Sequence, residues 1–257
     1  MYQTTHPFQL GPYILHHVLD SHEWHLPFLP VIHLPEFISL HGVMIIFCAL
    51  ILVVLFCGFY RHGQRVPTGI TNLLEAFVQF IRDEITIPFL GQEDGVQFTP
   101  FFCTLFFFIL GLNLLGQIPL FATATSNINV TFPLAFITFY LMTVMTLQKR
   151  GLKGFFRAIV PSGVPWPILI LIVPLEFLGI FIKTVTLMLR LFANMLAGHI
   201  VILCLLGLII LFGLWALPAL VLAIFFSLLE ILIVFLQAYI FVLLSALFIG
   251  QMYHPDH

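Results

Sequence analysis

From Pro165 to Gly250 the chain is almost unbroken apolar sequence, interrupted by four charged side chains, Glu176, Lys183, Arg190 and Glu230. No water-soluble core accommodates a run of that length. About 20 apolar residues suffice to cross a bilayer as a helix, so this one run holds two crossings and sets the fold class. The whole chain is 61% hydrophobic and 8% charged, against about 25% charged for an average soluble domain. The reading is an all-α polytopic membrane protein with about five crossings, one amphipathic surface helix, and a long tilted hairpin formed by the last two helices.

The other crossings follow from the remaining apolar runs. Residues 1–40 contain no Lys or Arg, are rich in His and Pro, and form an N-terminal outer-side arm ahead of the membrane domain, 41–257. Residues 41–60 make the first span, ending at "RHGQR" with Arg61 and Arg65. In 68–87, Ile70, Leu73, Leu74, Phe77 and Ile81 recur at helical spacing, opposite Glu75, Gln79, Arg82 and Asp83. That pattern predicts a helix along the membrane surface, ended by Pro88. Residues 98–121 and 131–147 are the next spans, joined by an uncharged link, "ATATSNINV". The stretches 165–213 and 215–250 are the arms of the hairpin, with a turn suggested by Gly213 and Pro218. At about 1.5 Å per residue the first arm is roughly twice the hydrocarbon thickness, so it is tilted, curved or broken, with Pro174 permitting a kink.

Six of the nine Lys and Arg lie in two loops, at 61–65 and 149–157, that two crossings separate and so place on one side. The positive-inside rule makes that side cytoplasmic, with the N-terminus outside and the C-terminus inside. No cleavable signal is evident, since the first 40 residues lack a basic start. A bacterial plasma membrane fits better than an organelle inner membrane. The four cysteines, Cys48, Cys57, Cys103 and Cys204, lie in apolar runs without metal-ligand spacing and read as small apolar fillers. No cofactor, metal, catalytic site or nucleic-acid partner is expected; the lipid bilayer is.

A charge near mid-bilayer costs roughly +2.5 to +3.5 kcal/mol on insertion scales, so the polar residues of the hairpin need a purpose. Glu176, Lys183 and Arg190 are spaced seven apart and share a stripe; Asn194 follows one turn on. His199 is nine residues past Arg190, on roughly the opposite face. Glu230 and Gln237 share a face of the last helix. In an antiparallel hairpin turning near 213–217, His199 and Glu230 are about equally far from the turn and can meet. Plainer readings compete: Arg190 paired with Glu230 or Glu176, Lys183 snorkelling, Asn194 and Gln237 as interhelical glue, His199 as a satisfied core histidine. Together, intramembrane Glu and His with hydroxyls and amides are the components of a proton relay. A histidine titrates near neutral pH, burial brings a carboxyl toward the same range, and an arginine does not titrate.

"RLFANMLAGH" at 190–199 resembles the signature of the a subunit of F-type ATP synthases. So do "LLEILIVFLQAYIF" at 228–241, "FILGLNLLGQIP" at 108–119, "NINVTFPLAF" at 127–136 and the "HH" of His16 and His17. The resemblance covers nearly the whole chain. It implies the membrane stator beside a rotating c-ring, forming two offset proton half-channels that couple translocation to rotation and ATP synthesis. Arg190 then faces the ring carboxylates and separates the half-channels. His199 and Glu230 form the coupled pair of the outer half-channel, leaving open which of them carries the proton. Asn194, Gln237 and Asn113 line the path, and Glu176, with Lys183 on its stripe, belongs to the inner side. Gly116 departs from relatives that carry an acid there. Asn129-Val130-Thr131 fits a glycosylation sequon, but its place at a helix start favours a polar cap or channel lining. Peripheral-stalk b subunits and, indirectly, the F1 head are implied partners; the choice between H⁺ and Na⁺ belongs to the c subunit.

Two other function classes compete. A proton-coupled secondary transporter would hold an anionic substrate on Arg190, but such folds show paired repeats, and the Arg190 segment has no second copy. A metal or redox site would need His16, His17, His22 and His25; "HEWH" lacks the i, i+4 spacing of a zinc-protease helix.

Overall fold

The computed structural model describes residues 23–24, 32–35, 39–59, 69–118, 121–159 and 166–253. His16, His17, His22, His25, Arg61, Arg65 and most of the 1–40 arm lie outside them. Within the arm, β1 (Glu23–Trp24) and β2 (Ile32–His33) form a two-residue antiparallel ladder pairing Glu23 with His33. All other regular structure among the described residues is helical. Five helices are long and apolar enough to cross a membrane.

Helix α1 (Leu40–Val54) is capped by Ser39, whose hydroxyl accepts the Gly42 amide at 3.3 Å. Its buried residues, His41, Met44 and Cys48, fall at intervals of three and four, a single stripe. Cys48 Sγ donates to the Phe108 carbonyl at 3.8 Å. A Cβ on Gly111 would lie 2.7 Å from that sulfur, so the glycine allows the close approach. Much of the rest of α1 faces outward, including Leu50, Val53 and Val54, as lipid-facing residues do.

The amphipathic segment begins as α2 (Ile70–Phe80), widens through a π-helical stretch (Ile81–Thr86) and continues as α3 (Ile87–Leu90). Leu74, Ile81, Ile85 and Leu90 are buried, and Ile70 and Leu73 are exposed. Within α2 itself the buried side is therefore that of Thr71 and Leu74, one position round from Ile70 and Leu73. Pro88 does not end this segment. It lies on the exposed side directly after the π-helical stretch, in helical backbone that runs on unbroken from Ile81 to Leu90. The break comes at Gly91, whose φ of 84° favours glycine.

Helix α4 (Gln92–Gly116) runs through the centre, with Phe102, Ile109, Leu112 and Asn113 buried. A turn at Ala124–Ser126 follows, then α5 (Ile128–Ile159), bent where Gly151 takes φ 65°. Helix α6 (Trp166–Phe212) is 47 residues long with Pro174 inside it. Of the three possibilities for that arm, a break is excluded. At 1.5 Å per residue it is about 70 Å long and fits a 30 Å layer only when steeply inclined. A tight turn, Gly213–Ala216, leads into α7 (Leu217–Tyr253).

Helices α5, α6 and α7 pack on one another, α4 packs on α7, and α1 leans on α4. The seam of α7 that packs inward reads Val234, Ala238, Phe241, Val242, Ser245, Ala246 and Ile249. Small residues there let helices approach, and Ser245 meets Thr138 of α5 at 3.1 Å. The packed arc of α6 holds Ile180, Leu187, Leu191 and Met195. Its opposite arc, with Ile182, Val185, Leu189 and Val201, is open.

Candidate functional site

The hairpin brings His199 and Glu230 together. His199 Nδ1 lies 3.2 Å from Glu230 Oε1. On the other edge of the ring, Nε2 lies 2.9 Å from the Gly116 carbonyl and 2.7 Å from Thr123 Oγ1. Four separate pieces of chain thus converge on one imidazole: α6, α7, the end of α4 and the link that follows it. Gly198 leaves room for this pair, since a Cβ there would push the Glu230 carboxylate out of its place. Glu230 is buried, and its second oxygen, Oε2, has no hydrogen-bond partner among the described residues. It lines a cavity of about 190 Å³ between α6 and α7, together with Asn194, Gly198, Val201, Phe226 and Leu229.

Further polar atoms lie in the same half of the molecule. Asn113, fully buried on α4, accepts the Thr125 hydroxyl at 2.7 Å through Oδ1, and its Nδ2 is unpartnered. Gln117 Nε2 is also unpartnered. Ser126 donates to the Thr123 carbonyl at 2.7 Å, and Asn127 meets His41 at 3.2 Å. Non-helical backbone within membrane-spanning protein is tolerated only where it is buried or lines a water-filled space. An orphaned buried polar atom costs about 1–3 kcal/mol, and bound water is the usual remedy. The cluster is therefore suited to hydration.

Arg190 stands apart from this pair. It sits at the border between the packed arc of α6, at Leu187 and Leu191, and the open arc, at Leu189 and Ala193. It has no ion pair or side-chain hydrogen bond among the described residues. Glu230 is engaged with His199, and Glu176 is exposed without a partner, so neither neutralises the guanidinium. One turn along, Asn194 Nδ2 approaches Gln237 Oε1 at 3.5 Å, and Gln237 Nε2 is unpartnered. Lys183 is held by α7: its Nζ donates to Gln251 Oε1 at 2.9 Å and lies 5.5 Å from the centre of the Phe248 ring.

The sequence motifs single out His199, Glu230, Asn113, Asn194 and Gln237, and each is found in contact or beside an orphaned polar atom. Thr123, Thr125 and His41 carry no such signal. The only hint of the first two is the density of hydroxyls in an uncharged link where a hydrophobic loop would be cheaper.

The sequence profile of the ATP synthase A chain family matches residues 42–250. The chain is 43% identical to ATP synthase subunit a of Chloroherpeton thalassium, over 95% of this chain and 77% of that protein. It is 39% identical to ATP synthase subunit a of Anaeromyxobacter dehalogenans, over 98% of this chain and 73% of that one. For the protein of the same name in Myxococcus xanthus the figures are 41%, 94% and 88%.

Proposed function

The chain belongs to the ATP synthase subunit a family, the multi-pass membrane subunit of the F0 sector, and from that premise we propose that it conducts protons along two offset half-channels against a ring of c subunits. The observation that supports this best is the separation of roles along α6. A His–Glu pair with a buried carboxylate borders a partly open cavity between α6 and α7, while an arginine with no ion pair among the described residues stands on the border of the open face.

A proton taken up from the outer side reaches the His199–Glu230 pair past Asn113. From Glu230 Oε2 it crosses the cavity beside Asn194 and Gln237 and neutralises a carboxylate on the ring. The neutral carboxyl can enter lipid, which a charged one cannot at acceptable cost. After rotation the carboxyl meets the inner half-channel, on the Glu176 side of the same helix, with Lys183 midway along the polar stripe between Glu176 and Arg190. Arg190 attracts the ionised carboxylate and never releases a proton, so it favours deprotonation between the channels and blocks leakage. Each proton crossing 100 mV supplies about 2.3 kcal/mol to bias rotation. ATP chemistry takes place elsewhere in the complex, reached through the c-ring and the peripheral-stalk b subunits. The setting is a bacterial plasma membrane, with the N-terminus outside and the C-terminus cytoplasmic.

The test is Arg190→Ala in the assembled complex, in inverted vesicles. ATP-driven proton pumping is expected to vanish while the subunit remains in the complex. Coupled pumping that survives the substitution overturns the reading.

A further inference from the structure

The contacts of His199 say more about its protons than the resemblance does. On the Nε2 edge, the Gly116 carbonyl at 2.9 Å can only accept a hydrogen bond. An unprotonated Nε2 would set two lone pairs against each other at 2.9 Å in a part-buried site, where an unmade polar contact is costly. A protonated Nε2 donates to that carbonyl and, at 2.7 Å, to Thr123 Oγ1. The hydroxyl keeps its own hydrogen for the Gly116 carbonyl at 3.4 Å. Every donor and acceptor on this edge is then matched. The Met195 carbonyl, one turn earlier on α6, is one more acceptor beside the ring. Glu230 is the titratable group facing the imidazole.

Thr123 is held in place from the other side as well. A Cβ on residue 116 would lie 2.9 Å from Thr123 Cγ2 and 3.2 Å from its Cα and Oγ1. The space a larger residue 116 would take is filled by this threonine. An acid at that position is thus replaced here by a backbone carbonyl and a hydroxyl from the next turn.

Building on the reading that His199 and Glu230 lie on the proton path, we propose that the Gly116 carbonyl and the Thr123 hydroxyl form a seat that keeps His199 Nε2 permanently protonated, so that the proton in transit occupies only the edge between His199 Nδ1 and Glu230 Oε1. Loaded, the pair is imidazolium with carboxylate, or neutral imidazole with neutral carboxyl; one proton shifts between Nδ1 and Oε1 and the net charge stays at zero. The neutral carboxyl then swings its O–H off this edge toward the cavity and gives up the proton there, leaving neutral imidazole and carboxylate with a single negative charge. Reloading takes place on the same edge, and nothing passes through Thr123. Thr123 is a positioning residue.

The seat is read directly by ¹⁵N NMR of histidine-labelled, reconstituted complex, with the His199→Gln complex as the subtraction. Nε2 is expected to be of the protonated type at every pH, with only Nδ1 changing. An unprotonated Nε2 in any state overturns the proposal. Thr123→Val removes the acceptor and is expected to lower proton-driven ATP synthesis about five- to tenfold, the worth of one hydrogen bond of ~1 to 1.4 kcal/mol. Thr123→Ser keeps the hydroxyl and is expected to match the parent complex; equal activity of Val and Ser overturns the seat. Gly116→Ala crowds the Thr123 methyl, and adding Thr123→Ser is expected to recover activity. The absence of any recovery counts against the packing argument. Failure of the underlying reading looks different, since a His199→Gln complex would then pump normally whatever Nε2 shows.

Discussion

A buried carboxylate bonded to a single imidazole nitrogen is an unusual thing for a membrane helix to keep. Replacing a buried ion pair with well-packed apolar residues is often neutral or stabilising, whereas removing one member leaves an uncompensated polar group. His199 and Glu230 should therefore fail together. Relative to the parent complex, His199→Ala and Glu230→Gln each lower proton flux strongly, and the double substitution is expected to cost little more than the worse single one. Groups that act as a unit behave this way, while independent sites add within about 0.3–0.5 kcal/mol. Fluxes in the double variant equal to the product of two independent losses would mean that the 3.2 Å contact carries no coupling. This pair was legible in the sequence because it needs only arithmetic: two polar residues equidistant from one turn. Thr123 was not legible, because the link it belongs to has no periodicity from which a direction in space can be computed.

The elements show where sequence punctuation informs and where it misleads. Pro88 reads as a stop, yet the helical backbone continues through it, directly after the wider π turns of Ile81–Thr86. Gly91, with φ 84°, is the true break, and α4 starts on the next residue. Gly91→Ala is expected to destabilise the joint by about 1–2 kcal/mol, the cost of a side chain in left-handed backbone. Pro88→Ala at the exposed neighbouring site should change little. Thermal release of the subunit from the purified complex measures both, and a Pro88→Ala defect equal to that of Gly91→Ala would reverse the assignment. The continuity of α6 was equally hidden. The length of its apolar run demanded tilt, curvature or a break, and the residues around Pro174 do not choose among them. Continuity prevails because α5 and α7 both pack along α6.

At the scale of the whole molecule, the open arc of α6 decides what the protein must sit beside. Lipid suits apolar side chains, and it suits most of the exposed surface, including Phe132, Ile137 and Tyr140 on α5. It does not suit Arg190, whose charge stands at the border of the α6 arc with no ion pair among the described residues. Lipid also gives no reason for the small, exposed Ala193 and Ala197 beside it, where bulk would cover more surface. Small residues flanking an unpaired cation fit a neighbouring protein that approaches closely and brings a carboxylate. A cysteine at Ala197 is therefore expected to cross-link to a cysteine placed next to the ring carboxylate, in the assembled complex under oxidising conditions. A cysteine at Tyr140, equally exposed but on the α5 face, is expected to give no such product. Cross-linking from Tyr140 with the same yield, or none from Ala197, would place the ring on a different face and overturn the partner proposed for Arg190.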